Sequence, residues 1–298
     1  MNKPRLIIGG APKSGTTAIY YYLKQHPELL LSPKKELHFF SRIALEKTAG
    51  GPGDRHVLRE VPSSFNEYLN YFPSEVRGRI AVDVSPSYLY HFMSANEITR
   101  LLPDAKIVFI LRNPADKAFS QYLHLVGSGR ENLSFSDALC CEKDRQQQGY
   151  ADMWLYRESG FYANALSHYY HVFGQGRVRV YYYDDFRTNP EKVLRDIFSF
   201  AGIAEDVPLA PVTDVNRSGR PRSSLVSRVF LSPNWFTFLL RRIVPQGIGR
   251  LARKQIKDYN TGAKPGFPPN LRNSLLEDFR DDILRVEEIL GRPSGWLK

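Results

Sequence analysis

Short uninterrupted apolar runs, each followed by a stretch of helical spacing, recur along the chain. Leu6-Ile7-Ile8-Gly9-Gly10 predicts a buried strand, then a glycine-containing turn and a helix from about Gly15 to Gln25. His26-Pro27 stops that helix, because the residue before a proline avoids the helical region. Arg79 to Val84, Lys106 to Leu111 and Arg177 to Tyr183 predict three more strands. The run Lys106-Ile107-Val108-Phe109-Ile110-Leu111 has the continuous apolar character of a strand covered on both faces. Helical spacing covers about 94–102, 114–127, 158–173 and 190–201. Strand alternating with helix predicts an α/β fold around a mainly parallel central sheet flanked by helices.

Beyond about residue 203 the pattern changes to a Pro-, Arg- and Ser-rich stretch, then an amphipathic one from about Leu225 to Ile256. A Gly/Pro-rich loop, Gly262 to Pro269, leads into a final helix. There Leu271, Leu275, Phe279, Ile283, Val286 and Leu290 recur at three- and four-residue intervals, a core-facing stripe. The C-terminal region is therefore expected to be helical. No repeat and no linker divides the chain, so one domain over 1–298 is expected.

Charge and composition narrow the class. The 298 residues carry 41 Lys and Arg against 31 Asp and Glu, a net charge of +10, and 42% hydrophobic residues. That apolar fraction excludes global disorder. The two cysteines, Cys140 and Cys141, are adjacent, which excludes a disulfide scaffold and favours a reduced, cytoplasmic protein. No signal peptide or transmembrane run is predicted. The positive balance calls for an anionic partner: nucleotide, acidic glycan, nucleic acid or membrane surface.

The loop Gly9-Gly10-Ala11-Pro12-Lys13-Ser14-Gly15-Thr16-Thr17 joins the first strand to the first helix. Backbone N–H groups and the positive helix end make such a junction a phosphate cradle. Gly10 and Gly15 have the spacing of a nucleoside-triphosphate loop, yet Thr16-Thr17 stands where that loop carries Lys and Ser or Thr. The lysine is instead Lys13, within the turn, and this displacement weakens the case for a metal–triphosphate enzyme. A donor with one short bridge to the transferred group needs its cation close to that bridge.

Ala11 to Thr17, followed by Lys34-Lys35-Glu36-Leu37-His38-Phe39-Phe40, resembles the sulfotransferases that use 3′-phosphoadenosine 5′-phosphosulfate. The closer likeness is to the branch of heparan sulfate sulfotransferases and their bacterial relatives. Leu111-Arg112-Asn113-Pro114, with Ser120 eight residues past the Arg, is similar to the family's second nucleotide motif. Asp83-Val84-Ser85-Pro86-Ser87-Tyr88 resembles its acidic–x–Ser/Thr-Pro element, and Gly291 to Trp296 its closing segment. The resemblance implies a P-loop-containing nucleotide-binding fold and this nucleotide as sulfuryl donor, with adenosine 3′,5′-bisphosphate as product and no metal.

The resemblance also assigns roles. Lys13 is expected to neutralise charge on the bridging oxygen. Pro12, Ser14, Gly15, Thr16 and Thr17 surround the 5′-phosphate, through the amides from Ser14 to Thr17 and the three hydroxyls. Arg112 and Ser120 hold the 3′-phosphate, a task suited to the rigid guanidinium fork. Glu36 is the candidate general base, with His38 a second candidate or the residue that orients it; the alternative for Glu36 is a surface ion pair beside Lys34 and Lys35. Asp83 is a candidate for positioning the acceptor or Lys13. The loop Arg217-Ser218-Gly219-Arg220 resembles the one that closes over the nucleotide, and Gly160-Phe161-Tyr162 an element near the acceptor cleft. Val84 stands where several glycan-modifying relatives carry Lys, so their acceptor does not transfer directly.

The acceptor is expected to bear a hydroxyl, on a glycan, a glycolipid or a hydrophobic small molecule. Phe230 to Arg242, aromatic and basic, fits a lid, a peripheral membrane contact or a core helix. Two other classes compete: a Mg²⁺-dependent small-molecule kinase, and a non-enzymatic polyanion binder. The second calls for a continuous basic stripe, whereas the basic residues here are scattered, and nucleic acid is not expected as a partner.

Overall fold

A computed structural model describes residues 3–72, 78–212, 262 and 265–298. In chain order the elements begin with β1 (Pro4–Gly10), α1 (Thr16–Leu23), β2 (Leu29–Leu31), α2 (Arg42–Lys47), α3 (Asp54–Leu58) and α4 (Phe65–Leu69). They continue with β3 (Ile80–Val84), α5 (Ser94–Leu101), β4 (Lys106–Leu111), α6 (Pro114–Gly127), α7 (Phe135–Cys140) and α8 (Glu142–Gln147). Next come α9 (Ala163–Phe173), β5 (Val178–Tyr182), α10 (Tyr183–Thr188) and α11 (Pro190–Ala201), and after the undescribed stretch α12 (Pro269–Asp278) and α13 (Arg280–Leu290). No helix among the described residues is long and apolar enough to cross a membrane.

The strands form one sheet in the order β2-β3-β1-β4-β5, every pairing parallel. Its two faces divide the apolar residues by the two-residue period of a strand. Leu6, Ile8, Val108 and Ile110 pack with Ile19 and Leu23 of α1 and with Leu194, Ile197 and Phe198 of α11. Ile7, Ile107, Phe109 and Leu111 face the other way, toward α5, α6, α9 and the C-terminal helices. Covering both faces is what makes these strands read as unbroken apolar runs.

The expected elements appear with small shifts. β2 was not expected; its three leucines begin two residues after the Pro27 stop and pair Leu29 with Ile80. The helix expected over 158–173 starts at Ala163, behind a short 3-10 turn at Glu158–Gly160. The final helix is two, meeting at Phe279. Its stripe survives the break, with Leu275, Phe279, Ile283 and Val286 buried and Leu271 and Leu290 partly so.

Phe279 is wholly buried, 5.0 Å from the Phe161 ring, and a Cβ at Gly160 would lie 2.7 Å from its Cζ. Replacing Phe279 with alanine is expected to lower stability by about 3–5 kcal/mol. Denaturant unfolding followed by circular dichroism measures this.

Candidate active site

All five strands point their C-terminal ends at one cleft of about 840 Å³. This is where open parallel sheets place ligands, beside the strand at which the winding reverses. Here β1 is that strand, since the chain runs from it to β2 on one side and later to β4 on the other.

The turn after β1 supplies Pro12, Lys13, Gly15, Thr16 and Thr17 to the cleft wall. Gly15 sits at φ 84, and a Cβ there would meet the Tyr183 ring at 3.0 Å, so only glycine suits the position. α1 begins with no side-chain cap and no acidic residue in its first turn. Its leading amides and the positive end of its dipole are therefore left for an anion. Ser14 departs from expectation. The tight turn, with its N–H on the Ala11 carbonyl at 3.3 Å, places the side chain inward, wholly buried and away from the cleft. The Ser14 Oγ has no hydrogen-bond partner there.

Arg112 directly follows β4; its Nη1 donates to the Lys13 carbonyl at 3.1 Å and its guanidinium lies 5.1 Å from the Tyr183 ring centre. The second cradle element is thus braced against the first. Asn113 caps α6 by accepting from the amides of Ala115 and Asp116, with Pro114 in the first turn. That cap sets the register which brings Ser120, 4% exposed, to the same wall as Arg112. Tyr162 donates from its hydroxyl to the Arg112 carbonyl at 3.0 Å. The Gly160-Phe161-Tyr162 element thus braces the end of β4 and packs on Phe279.

Glu36 and His38 reach the cleft from the loop after β2. The Glu36 amide donates to the Val84 carbonyl at 2.9 Å, and its carboxylate pairs with Lys35, whose Nζ also donates to Thr17 Oγ1 at 2.6 Å. The expected ion pair and the placement at the cleft are therefore both present. Burial pushes the Glu36 pKa upward, but the charges of Lys35 and His38 outweigh it and leave the carboxyl below its ordinary value. For His38, burial dominates over the nearby carboxylates of Glu36 and Asp152, and its pKa falls below the usual imidazole value.

Three serines hold His38. Its amide donates to Ser85 Oγ at 3.1 Å, its Nδ1 lies 2.7 Å from Ser87 Oγ, and its carbonyl accepts from Ser41 Oγ at 3.0 Å. Asp83 has a different place from the one expected. It is 1% exposed and accepts from the hydroxyls of Tyr68 (2.9 Å), Ser85 (2.7 Å) and Tyr88 (2.8 Å), off the cleft wall. It reaches the site only through Ser85 and the His38 backbone.

Among the described residues, three non-glycine residues have positive φ: Lys13 (65°), Glu36 (65°) and His38 (55°). Left-handed backbone in such residues costs about 1–3 kcal/mol each and collects where function demands a geometry. The three sit around the same cleft. Sequence reading missed Lys35 as the link between Thr17 and Glu36, Tyr183 under Arg112, and the cleft residues Ser87, His124 and Asp152. Only Lys35 and Ser87 stood within quoted motifs. Arg217, Ser218, Gly219 and Arg220, like the stretch 225–256, lie outside the described residues.

Comparison with known proteins matches residues 4–206 to the model of the sulfotransferase family. The chain belongs to the sulfotransferase family. A crystal structure of a sulfotransferase from Alicyclobacillus acidocaldarius is 30% identical, with a TM-score of 0.78 and 100% of both chains covered. The bifunctional heparan sulfate N-deacetylase/N-sulfotransferase 1 of Mus musculus is 27% identical over 214 residues, 68% of this chain. The human enzyme 2 of that name is 26% identical over 210 residues. The chain spans about 22% of the length of these curated relatives. The match to the family model covers every strand among the described residues and the three motif regions built around Lys13, Glu36 and Arg112.

Proposed function

We propose that this protein transfers a sulfuryl group from 3′-phosphoadenosine 5′-phosphosulfate to an acceptor hydroxyl. One observation carries the reading. An uncapped helix start, a lysine, an arginine–serine pair and an ionised carboxylate meet in one cleft from three different strand ends. Family membership and the fit of a cationic cradle to a bisphosphorylated nucleotide support it.

In this reading the amides opening α1, with Thr16 and Thr17, hold the 5′-phosphate, and Arg112 with Ser120 holds the 3′-phosphate. Lys13 stands by the oxygen that leaves sulfur and balances the charge growing on it. Glu36 takes the acceptor proton, and the serine-held His38 orients the acceptor oxygen. The acceptor oxygen–sulfur bond forms as the sulfur–oxygen bond to the nucleotide phosphate breaks, and that electron pair leaves with the phosphate. Lys13 supplies the cation, so no metal is called for in this reading.

One domain is proposed for 1–298, because Leu275, Phe279, Ile283, Val286 and Trp296 share a core with Ile7 and Phe109. The unpaired Cys140 and Cys141 support a reducing, cytoplasmic setting.

Transfer of radiolabel from the sulfonucleotide to a hydroxylated acceptor, undiminished by EDTA, is the test. ATP turnover requiring Mg²⁺, with no sulfuryl transfer, would overturn the reading. Arg112→Ala is expected to weaken binding of adenosine 3′,5′-bisphosphate about 10- to 100-fold by calorimetry, through loss of charge-assisted hydrogen bonds.

A further inference from the structure

The two ends of the cleft differ in chemistry. On one side stand Lys13, Lys35, Arg112 and Arg187. The other is built from Leu45 and Thr48, Val57 and Leu58 of α3, His124, and the stretch Ala151–Met153. Asp54 fastens this second wall. It accepts from the amides of Gly51 (2.9 Å) and Ala151 (3.0 Å) and from Trp154 Nε1 (3.1 Å), and it pairs with Arg130.

Among the described residues Arg130 is the permanent cation of that wall, and it is engaged by Asp54 and by the Pro52 carbonyl at 2.5 Å. Asp54, Asp152 and Glu36 line the cleft with it, Asp54 paired with Arg130 and Glu36 with Lys35. Asp152 has a side chain only 7% exposed, with Oδ1 3.8 Å from His91 Nε2, beyond hydrogen-bond length. Burial raises its pKa, but His91, His38 and the buried Lys117 outweigh this and keep it ionised at neutral pH. Apolar side chains and the Asp152 carboxylate together make a surface that takes hydrocarbon and hydroxyl donors, with no unpaired cation on that wall among the described residues to attract a polyanion.

We infer that the acceptor is an uncharged amphiphile, with a polyhydroxylated head hydrogen-bonded to Asp152 and a hydrocarbon tail lying on Leu45, Val57, Leu58 and Met153. The inference rests on the sulfuryl-transfer reading and adds the substrate class. One head hydroxyl gives its proton to Glu36 as its oxygen bonds to sulfur, and a second donates to Asp152. An acidic glycan would set its charges against Asp152, on a wall whose arginine is already engaged by Asp54.

Alkyl glucosides of increasing chain length, held below micellar concentration, probe the tail site with labelled donor. Each added methylene is expected to raise kcat/KM about threefold to fourfold until the wall is covered. N-desulfated heparin is expected to react at less than about a tenth of the octyl glucoside rate, since unpaired like charges are costly to bring together. Val57→Asp, at a 40% exposed position, should flatten the chain-length series. Asp152→Asn should raise KM about tenfold while leaving bisphosphonucleotide affinity unchanged, the loss expected for one charged hydrogen bond.

A flat series, no reaction with any glucoside, or a preference for the heparin would overturn the inference, provided the wild-type protein binds adenosine 3′,5′-bisphosphate. Failure to bind that nucleotide would instead overturn the donor reading beneath it.

Discussion

Lys13→Ala is expected to lower kcat by about 10²- to 10³-fold, the loss seen when one preorganised charge-stabilising donor is removed from a transition state. Lys13 is held at φ 65 in the turn between β1 and α1, and its carbonyl accepts from Arg112 at 3.1 Å. The backbone that aims the ammonium is therefore fixed by the same arginine proposed to grip the nucleotide. Because the charge on the leaving oxygen grows only as the bond breaks, binding of the product nucleotide should change far less than turnover. Single-turnover rates beside calorimetry separate the two. A kcat within tenfold of the wild type would remove Lys13 from the bond-breaking step.

Glu36→Gln is expected to cost about 10²- to 10⁴-fold in kcat, the range for a positioned general base, and to spare nucleotide affinity. The pH profile gives an independent readout. A base works ionised, and the Glu36 pKa is held below its ordinary carboxylate value, since Lys35 and His38 outweigh burial. The rate should therefore stay level from neutral pH into the acidic range and fall only as the pH drops through that lowered pKa. In Glu36→Gln the acidic limb should vanish with the activity. Were His38 the base, the rate would already fall nearer the imidazole range, below its usual 6.5 because burial lowers it. The position of the limb decides between them.

The left-handed backbone at Glu36 and His38 explains why this loop can present two titratable groups within three residues. Its cost is held by the bonds from Glu36 to Val84 and from Ser41, Ser85 and Ser87 to His38. These anchors lie on β3 and the turn that follows it, or just after His38 itself. Rigidity of the site is thus borrowed from the sheet.

Much of the fold was legible before any coordinates. The run Lys106–Leu111 is a strand over the same residues expected for it, because burial on both faces leaves an unbroken apolar signature. The helices expected over about 114–127 and 190–201 from their spacing run over Pro114–Gly127 and Pro190–Ala201, and the spacing of Gly10 and Gly15 marked the turn where no side chain fits at Gly15 beside Tyr183. β2 escaped notice because three residues carry too little periodicity to register. Ser14 and Asp83 were misplaced for a related reason. Which way a loop side chain faces, and whether a carboxylate meets three hydroxyls or a ligand, is set by neighbours distant in sequence.

Taken alone, the order of residues determined the α/β class, the glycine-containing turn after the first strand and the chemical types gathered in three motifs, since each is written in a window of a few residues. Only the tertiary structure decided that Lys35 links Thr17 to Glu36, that Tyr183 lies under Arg112, and that Asp54, Asp152 and an apolar wall face the cations across the cleft. Those relations depend on the strand order β2-β3-β1-β4-β5 and on helices packed between distant segments. Long-range packing of this kind leaves no local trace in the chain.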